Sequence, residues 1–315
     1  MFFVSSSYKL NIIFTLFSLG GATFGMTEEA IPFITILVPL MLALGYDSIM
    51  AVGVTYLACA LGFSSAMLNP FTVGIAQSIA EIPMFSGIEY RTIIWFITTT
   101  VGTLFLMMYA TKIKKNPEFS PVYESDKIKR ENLTNFGEDK DGFTFTHKII
   151  LSLLALCIGI IVWGVLTQGF WIPQIAAVFL VTGLASGIIG RLSGDEMADA
   201  FIEGAKGMIG AAIMIGFARA IVIIAENASI IDTILYNLAG VIGKLPPLLA
   251  ACIMYPIQMF INFFVGSGSG QAALTMPILA PLGDLIGISR QLTVLIFQFG
   301  DGFSNVIFPT SGILI

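Results

Sequence analysis

Residues that could bind a cation or a small polar solute lie beside prolines in two otherwise apolar stretches of this chain. Proline has no N–H, so a proline inside a helix frees the backbone carbonyl four residues earlier. Pro70 frees the carbonyl of Ala66 in this way, and Pro309 frees that of Asn305. Freed carbonyls beside hydroxyl and amide groups suit a dehydrated Na⁺ or a polar substrate. The substrate ligands predicted here are Asn69, Thr72, Ser304, Asn305 and Thr310, and the predicted coupling-ion ligands are Glu28, Ala66, Asn69 and Asn305.

The two stretches also share their internal spacing. Ala30 precedes Pro39 by nine residues, and Ala272 precedes Pro281 by the same nine. A glycine follows each of these two prolines six residues later. A single proline is typical of an ordinary kink in a membrane helix, whereas paired interruptions at matching places of two apolar halves indicate the binding site of a transporter.

A glycine-rich segment at 266–271 could cradle an anion. The helix that we expect after it would begin with unpaired backbone N–H groups. No Gly-Lys-Ser/Thr follows the segment, so it is not a nucleotide-binding P-loop. A flexible turn is the alternative, but an external turn would not need Gln271 and Thr275 leading into an apolar arm. The tip residues predicted to bind substrate are Ser267, Gly268, Ser269, Gly270 and Gln271.

Charged residues inside apolar stretches are a further set of candidates. Glu28 and Glu29 are adjacent carboxylates that could handle a proton or cation, with Glu29 also a predicted substrate ligand; alternatively, both residues cap the next helix. Asp301 lies between two glycines, and a carboxylate is costly in lipid, so we predict that it faces a cavity and binds a cation or the substrate. Arg219 is either its ion-pair partner or a ligand for a substrate carboxylate.

The composition places most of the chain in lipid. Hydrophobic residues make up 56% of the sequence and charged residues 11%, and the mean hydropathy is +0.91. Soluble domains carry about 25% charged residues. The three cysteines are widely spaced and there is one histidine, so no metal site or other cofactor is predicted. Two Asp motifs superficially resemble those of intramembrane aspartyl proteases, but position 298 is Gln and the third, proline-led motif is missing, so no enzyme is predicted.

The elements that would position these residues are helices of membrane-spanning length and two shorter pairs. About 20 apolar residues are needed to cross a bilayer. The stretches at 8–44 and 246–287 each contain two shorter arms around a polar tip, which favours re-entrant hairpins. We therefore predict an all-α polytopic membrane protein, an inverted repeat with two re-entrant helical hairpins and two broken transmembrane helices. The predicted parts are a first repeat at 1–111 (hairpin 8–44, broken helix 47–83, helix 90–111), a cytoplasmic loop at 112–146, and a second repeat at 147–315 (helices 147–168, 170–190 and 207–225, hairpin 246–287, broken helix 290–315).

The distribution of basic residues orients the two repeats. Eight of the fifteen Lys and Arg residues lie in or at the edge of segment 112–146. The positive-inside rule therefore predicts that this loop is cytoplasmic, with the chain in the inner membrane of the cell. The first hairpin then enters from the cytoplasm and the second from outside. Acidic residues nearly balance the basic ones in this loop and aromatic residues do not interleave, which excludes a nucleic-acid partner.

Four motifs resemble the YfcC family of membrane carriers. They occupy 25–33, 69–71 with 74–77, 267–277, and 298–305 with 309–312. The resemblance implies a member of the ion-transporter superfamily, grouped with anaerobic C4-dicarboxylate carriers and with relatives described as arginine/ornithine-type antiporters. It also implies a homodimer in which a transport domain moves against a scaffold. Family members carry further helices at both ends, so the chain is expected to be truncated.

The function predicted is secondary active transport of a small carboxylate-bearing metabolite. The carboxylates at Glu28, Glu29 and Asp301 favour a basic amino acid and an antiporter. Arg219 and the glycine-rich tip would instead suit a C4-dicarboxylate carrier coupled to Na⁺ or H⁺. A truncated membrane fragment without transport activity is the alternative of another class.

Overall fold

The computed structural model describes residues 2–135 and 144–308, and every regular element in these two ranges is a helix. Backbone N–H and C=O groups have no water to bond in a bilayer core, and a helix satisfies them within one segment. Four apolar helical segments of the described residues are long enough to cross a membrane: Ser48–Ile79, Ile88–Lys115, Phe145–Val165 and Pro247–Val265. The predicted all-α, polytopic membrane fold is confirmed at this level.

The helices follow one another with short connections. They are α1 (Phe2–Phe24), α2 (Ile31–Ala43), α3 (Ser48–Val52), α4 (Ala58–Ser65), α5 (Ile75–Ile79), α6 (Ile88–Lys115), α7 (Tyr123–Asn135), α8 (Phe145–Gln168), α9 (Ile172–Ile189), α10 (Gly194–Asn227), α11 (Ile230–Ile242), α12 (Pro247–Val265), α13 (Gly268–Ile286) and α14 (Arg290–Ser304). Wider π-helical turns at Gly53–Leu57 and Pro70–Gly74 precede α4 and α5, and 3₁₀ turns lie at Glu28–Ala30 and Pro117–Phe119.

The chain forms two compact units. The first comprises Met1–Asp126 and Ala211–Ile315, and the second comprises Lys127–Gly210. Helices α8 and α9 pack against each other in the second unit, joined by a turn in which Gly169 has a left-handed backbone (φ +65°). The hydrophilic segment between the units contains α7. Asp126 of α7 accepts hydrogen bonds from the backbone N–H (2.7 Å) and the hydroxyl (2.8 Å) of Ser48, at the start of α3.

Glycines allow α1 and α4 to pack backbone against backbone in the first unit. A Cβ atom added to Gly62 would lie 1.8 Å from the carbonyl oxygen of Ser18, and one added to Gly21 would lie 2.1 Å from that of Cys59. Small residues commonly permit such approaches between membrane helices. Helix α6 covers this pair, and a buried apolar cluster with Phe14 at its centre joins the three.

Helix α14 connects the two halves of the first unit. It packs on α12 and α13 on one side and on α4 on the other. A second apolar cluster joins the region around α5 to α13 and α14, with Ala76, Met276 and Phe297 fully buried within it. The elements nearest the two polar interruptions therefore share one core.

Replacing Gly62 with Ala is expected to destabilise the first unit, because the new methyl group would overlap the α1 backbone. Overpacking of this kind costs about 1–3 kcal/mol. The melting temperature of the purified protein in detergent should therefore fall. Gly183→Ala is the matched control: Gly183 is exposed in α9 and a Cβ there meets no atom within 4 Å. Equal melting temperatures for the two variants would contradict the close packing of α1 on α4.

Candidate functional site

The helical run that begins at Ser48 is interrupted at residues 66–69. Helix α4 ends at Ser65, and Ala66 adopts a left-handed conformation (φ 43°, ψ 62°). Asn69 then starts the next helical turn, because its Oδ1 accepts the N–H of Phe71 at 3.0 Å. Proline suits the first position of a helix, where its missing N–H costs nothing. Pro70 therefore begins the second segment, and the interruption lies in the four residues before it.

The turns of two helix pairs reach this interrupted segment. Gly25, in the turn after α1, has a left-handed backbone (φ +74°), and a Cβ there would lie 2.8 Å from both Oδ1 and Nδ2 of Asn69. Gly268 is the first residue of α13. A Cβ there would lie 2.5 Å from Cγ2 of Thr72 and 2.9 Å from Oδ2 of Asp301. The space between the tips and the interrupted helix thus admits glycine and no larger residue without a shift.

The direction of Asp301 follows from its two glycine neighbours. A Cβ on Gly300 would lie 2.3 Å from Cβ of Gln258 in α12, and one on Gly302 would lie 2.4 Å from Cα of Ser64 in α4. Successive helical residues are rotated by about 100°. Asp301 therefore points between α12 and α4, toward the tip of α13.

Several polar groups at this place have no hydrogen-bond partner. Asp301 is fully buried, and within residues 2–135 and 144–308 neither of its carboxylate oxygens has a hydrogen-bond partner. The Oγ1 atom of Thr72 and the Nδ2 atom of Asn69 are also buried without partners. A buried carboxylate is costly unless a cation or a proton satisfies it. The carboxylate of Asp301 lies beside the N-terminus of α13, whose positive end partly offsets its charge.

Two other predicted ligands have bonds within the protein. The hydroxyl of Ser304 donates to the carbonyl of Gly300 (2.7 Å) and accepts from Nδ2 of Asn262 (2.7 Å). The side-chain oxygen of Asn305 also accepts from Asn262 (2.7 Å), and its carbonyl accepts from the hydroxyl of Tyr56 (3.3 Å). These bonds fasten the end of α14 to α12 and to the turn before α4.

The remaining tip residues mainly stabilise the start of α13. Ser267 caps the helix, since its hydroxyl accepts the N–H of Gly270 at 3.3 Å, and it lies 3.4 Å from the hydroxyl of Ser269. Gln271 donates to the side-chain oxygen of Gln258 in α12 at 2.8 Å. Gly268 is the tip residue placed against Thr72 and Asp301.

The glutamate pair lies at the first tip. The carboxylate of Glu29 accepts the N–H of Thr27 at 3.1 Å, within the turn that leads into α2. This bond closes the turn before α2, and α2 itself has no side-chain cap at its N-cap residue Ala30. Thr310 lies outside the described residues, and so do the side chains of Glu28 and Arg219.

Two buried residues near the interruption were not predicted from the sequence. Arg91, in the first turn of α6, is 1% exposed and donates to the carbonyl of Met67 at 3.4 Å. Asn262 is 0% exposed in α12. Arg91 opens an apolar stretch, where arginine usually reaches the interface, and Asn262 is a lone amide in an apolar run, which by itself indicates no site. Within the ranges that the structure describes, no cluster of three His, Cys, Asp or Glu side chains is placed to bind a metal ion.

Comparison with known proteins gives one family. Residues 4–315 match the family model described as "C4-dicarboxylate anaerobic carrier". The chain is 49% identical over 313 residues to a protein of Escherichia coli named "Putative basic amino acid antiporter YfcC". The aligned region covers 96% of this chain and 62% of that protein. The chain is 36% identical over 302 residues to a Haemophilus influenzae protein named "Uncharacterized protein", which covers 95% of this chain and 59% of the other.

No solved structure matches the chain. The chain spans about 60% of the length of the two curated relatives. The resemblance to the YfcC family inferred from the four motifs is confirmed, and the chain belongs to the family of C4-dicarboxylate anaerobic carriers.

Proposed function

We propose that this protein forms the binding part of a secondary active transporter, an antiporter for a basic amino acid of the arginine or ornithine type. The observation that carries the proposal is the carboxylate of Asp301, which is fully buried and has no hydrogen-bond partner for either oxygen among the described residues. A guanidinium or ammonium group is the natural complement of such a carboxylate, since hydrogen bonds between charged groups are the strong ones. The name of the Escherichia coli relative agrees with this substrate class.

We also propose that the two helix pairs are re-entrant hairpins of an inverted repeat. The first pair lies within 8–44 and the second within 246–287. Their tips contact the same interrupted segment from α1 and α13, and each pair is followed by a helix that stops near polar residues. Together with the cytoplasmic placement of loop 112–146, this arrangement supports repeats at 1–111 and 147–315 that enter from opposite sides.

Alternating access then assigns roles to the two units. The first unit contains both tips, the interrupted helix and Asp301, so we assign it to the moving transport domain. The second unit belongs to the scaffold. The protein works in the inner membrane as a homodimer, with its partners being the bilayer, the small-molecule substrate and, where transport is ion-coupled, Na⁺ or H⁺.

A C4-dicarboxylate is the second candidate substrate. The family description names this class, and the N-terminus of α13 beside Asp301 is a favourable place for an anion. In this case the cation at Asp301 would be the coupling ion, Na⁺ or H⁺, and the substrate would bind next to it. The two candidates therefore assign different ligands to one carboxylate.

Asp301→Asn separates these candidates. For the amino acid antiporter, removing the charge should abolish arginine binding, because the cationic group loses its counter-charge. For the dicarboxylate carrier, it should abolish the effect of Na⁺ or of pH on succinate binding. Binding of arginine and of succinate is measured from the ligand-dependent shift in the melting temperature of the purified chain. Transport is then measured as uptake of labelled arginine and succinate into proteoliposomes.

The control for this experiment is Asp284→Asn. Asp284 is an exposed carboxylate of α13 that pairs with Arg290 at 2.9 Å, and an exposed pair contributes only about 0–1 kcal/mol. Its loss should leave binding of both ligands intact. If neither ligand stabilises the unsubstituted chain and neither is taken up, the transporter proposal for this chain is wrong.

Gly268→Ala should remove binding without unfolding the protein. The methyl group would enter the space between Thr72 and Asp301, where a ligand is expected. Gly183→Ala is the control, because Gly183 is exposed in α9, outside the tips, and a Cβ there meets no atom within 4 Å. Titration of arginine and succinate against both variants checks this, and full binding by Gly268→Ala would place the ligand elsewhere.

A further inference from the structure

Arg91 carries a buried positive charge that forms no ion pair with a carboxylate of the described residues. Its side chain is among the largest that are fully buried, at 1% exposure. The guanidinium donates to two backbone carbonyls, those of Ser86 at 2.9 Å and Met67 at 3.4 Å. Its Nε atom is buried and has no partner. No carboxylate of the described residues pairs with it; the nearby Glu89 is exposed, and residues two apart on a helix do not face each other.

Backbone carbonyls only partly offset this charge. Helix α4 ends beside Met67, so Arg91 lies at the negative end of a helix dipole, which accounts for its position when no ligand is bound. A guanidinium presents five N–H donors in a planar fork that matches a carboxylate. A buried charge without its counter-charge is costly. The Nε donor and the long contact to Met67 leave hydrogen-bonding capacity that a carboxylate would satisfy more strongly than the carbonyls do.

Arg91 and Asp301 lie near opposite ends of the same short segment. Arg91 donates to the carbonyl of Met67, and Gly268 is close to both Thr72 and the carboxylate of Asp301. Four residues lie between Met67 and Thr72, so the chain between these two residues spans at most about 18 Å, and the helical turn within it shortens that distance. The two opposite charges are not paired with each other, although each is buried.

The loop before α6 holds the guanidinium in place. The carbonyl of Ser86, which Arg91 contacts, also accepts from Gln77 of α5 (2.9 Å) and from Gln291 of α14 (2.8 Å). Phe85 has a left-handed backbone (φ 59°), as does the glycine after Ser86. The loop before α6 is thus hydrogen-bonded to α5 and to α14, and it orients the guanidinium of Arg91. An anion bound to Arg91 would contact a guanidinium whose position depends on both helices.

We propose that Arg91 binds the α-carboxylate of the transported amino acid while Asp301 binds its cationic group. The proposal rests on the basic amino acid function proposed above and adds the second half of its binding site. A single amino acid with a cationic side chain carries both charges, and this arrangement gives each of them a buried partner of opposite sign. Recognition of the carboxylate then distinguishes amino acids from simple amines.

Comparison of arginine with agmatine, which is arginine without its carboxylate, tests the proposal. The affinities of both are measured from ligand-dependent melting shifts of the purified full chain. The unsubstituted chain should bind arginine about tenfold or more tightly than agmatine, because a hydrogen bond to a charged group contributes about 1.5–3 kcal/mol. Arg91→Gln should lower the affinity for arginine to that for agmatine and leave agmatine nearly unchanged. Arg91→Lys keeps the positive charge but not the planar fork of donors. Its affinity for arginine should lie between those of the unsubstituted chain and of Arg91→Gln.

Arg290→Gln is the matched control, because Arg290 is a more exposed arginine whose partners are Glu81 and Asp284. It should leave the ratio of the two affinities unchanged. Equal losses for arginine and agmatine in Arg91→Gln would show that Arg91 only supports the fold, and would overturn the inference. If Arg91→Gln does not unfold cooperatively, equal affinities of the unsubstituted chain for arginine and agmatine overturn it instead. Failure of the unsubstituted chain to bind either compound contradicts the proposed function itself.

Discussion

The packing of α14 between two other helices determines the position of the candidate site. Gly300 allows α12 to approach one side of α14, and Gly302 allows α4 to approach the other. The residue between these two glycines is Asp301, and its side chain points between α12 and α4 toward the tip of α13. Its carboxylate is thereby buried where no donor from the described part of the chain reaches it. A serine or alanine at either glycine would separate the helices, and the carboxylate would lose its defined direction.

Glycine serves a second purpose at the tips, where the chain needs close contact and not flexibility. Gly25 and Gly268 bring the backbones of two turns against Asn69 and Thr72. A backbone that touches a ligand site offers N–H groups whose direction is fixed by the helix that follows, as at the start of α13. The interrupted helix supplies the groups between the tips, so three separate pieces of chain form one polar region inside an apolar core.

The sequence was sufficient to predict the helical membrane fold and to single out Asp301 as a charged residue within an apolar stretch, whereas its predicted role as a ligand stays a prediction. A long apolar stretch must be helical in a bilayer, and a carboxylate inside one demands a partner. The interruption was located from Pro70, but the left-handed conformation of Ala66 has no sequence signal, since alanine is usually helical. Arg91 was missed because its burial comes from a loop that folds over it, and tertiary contacts of that kind leave no periodic pattern.

The two substrate classes suggested by the family and by its relative have a common physical requirement. A dicarboxylate needs its negative charge balanced, and a basic amino acid needs both of its charges balanced. A site with Asp301 and Arg91 near the same segment supplies one charge of each sign, so neither class requires a different fold. If Asp301 and Arg91 form the proposed site, an ionised Asp301 favours a cationic solute, whereas an Asp301 neutralised by Na⁺ or H⁺ leaves Arg91 as the dominant charge and favours an anion. Divergence between carriers of the two classes can therefore begin at the coupling ion, before any residue that contacts the substrate changes.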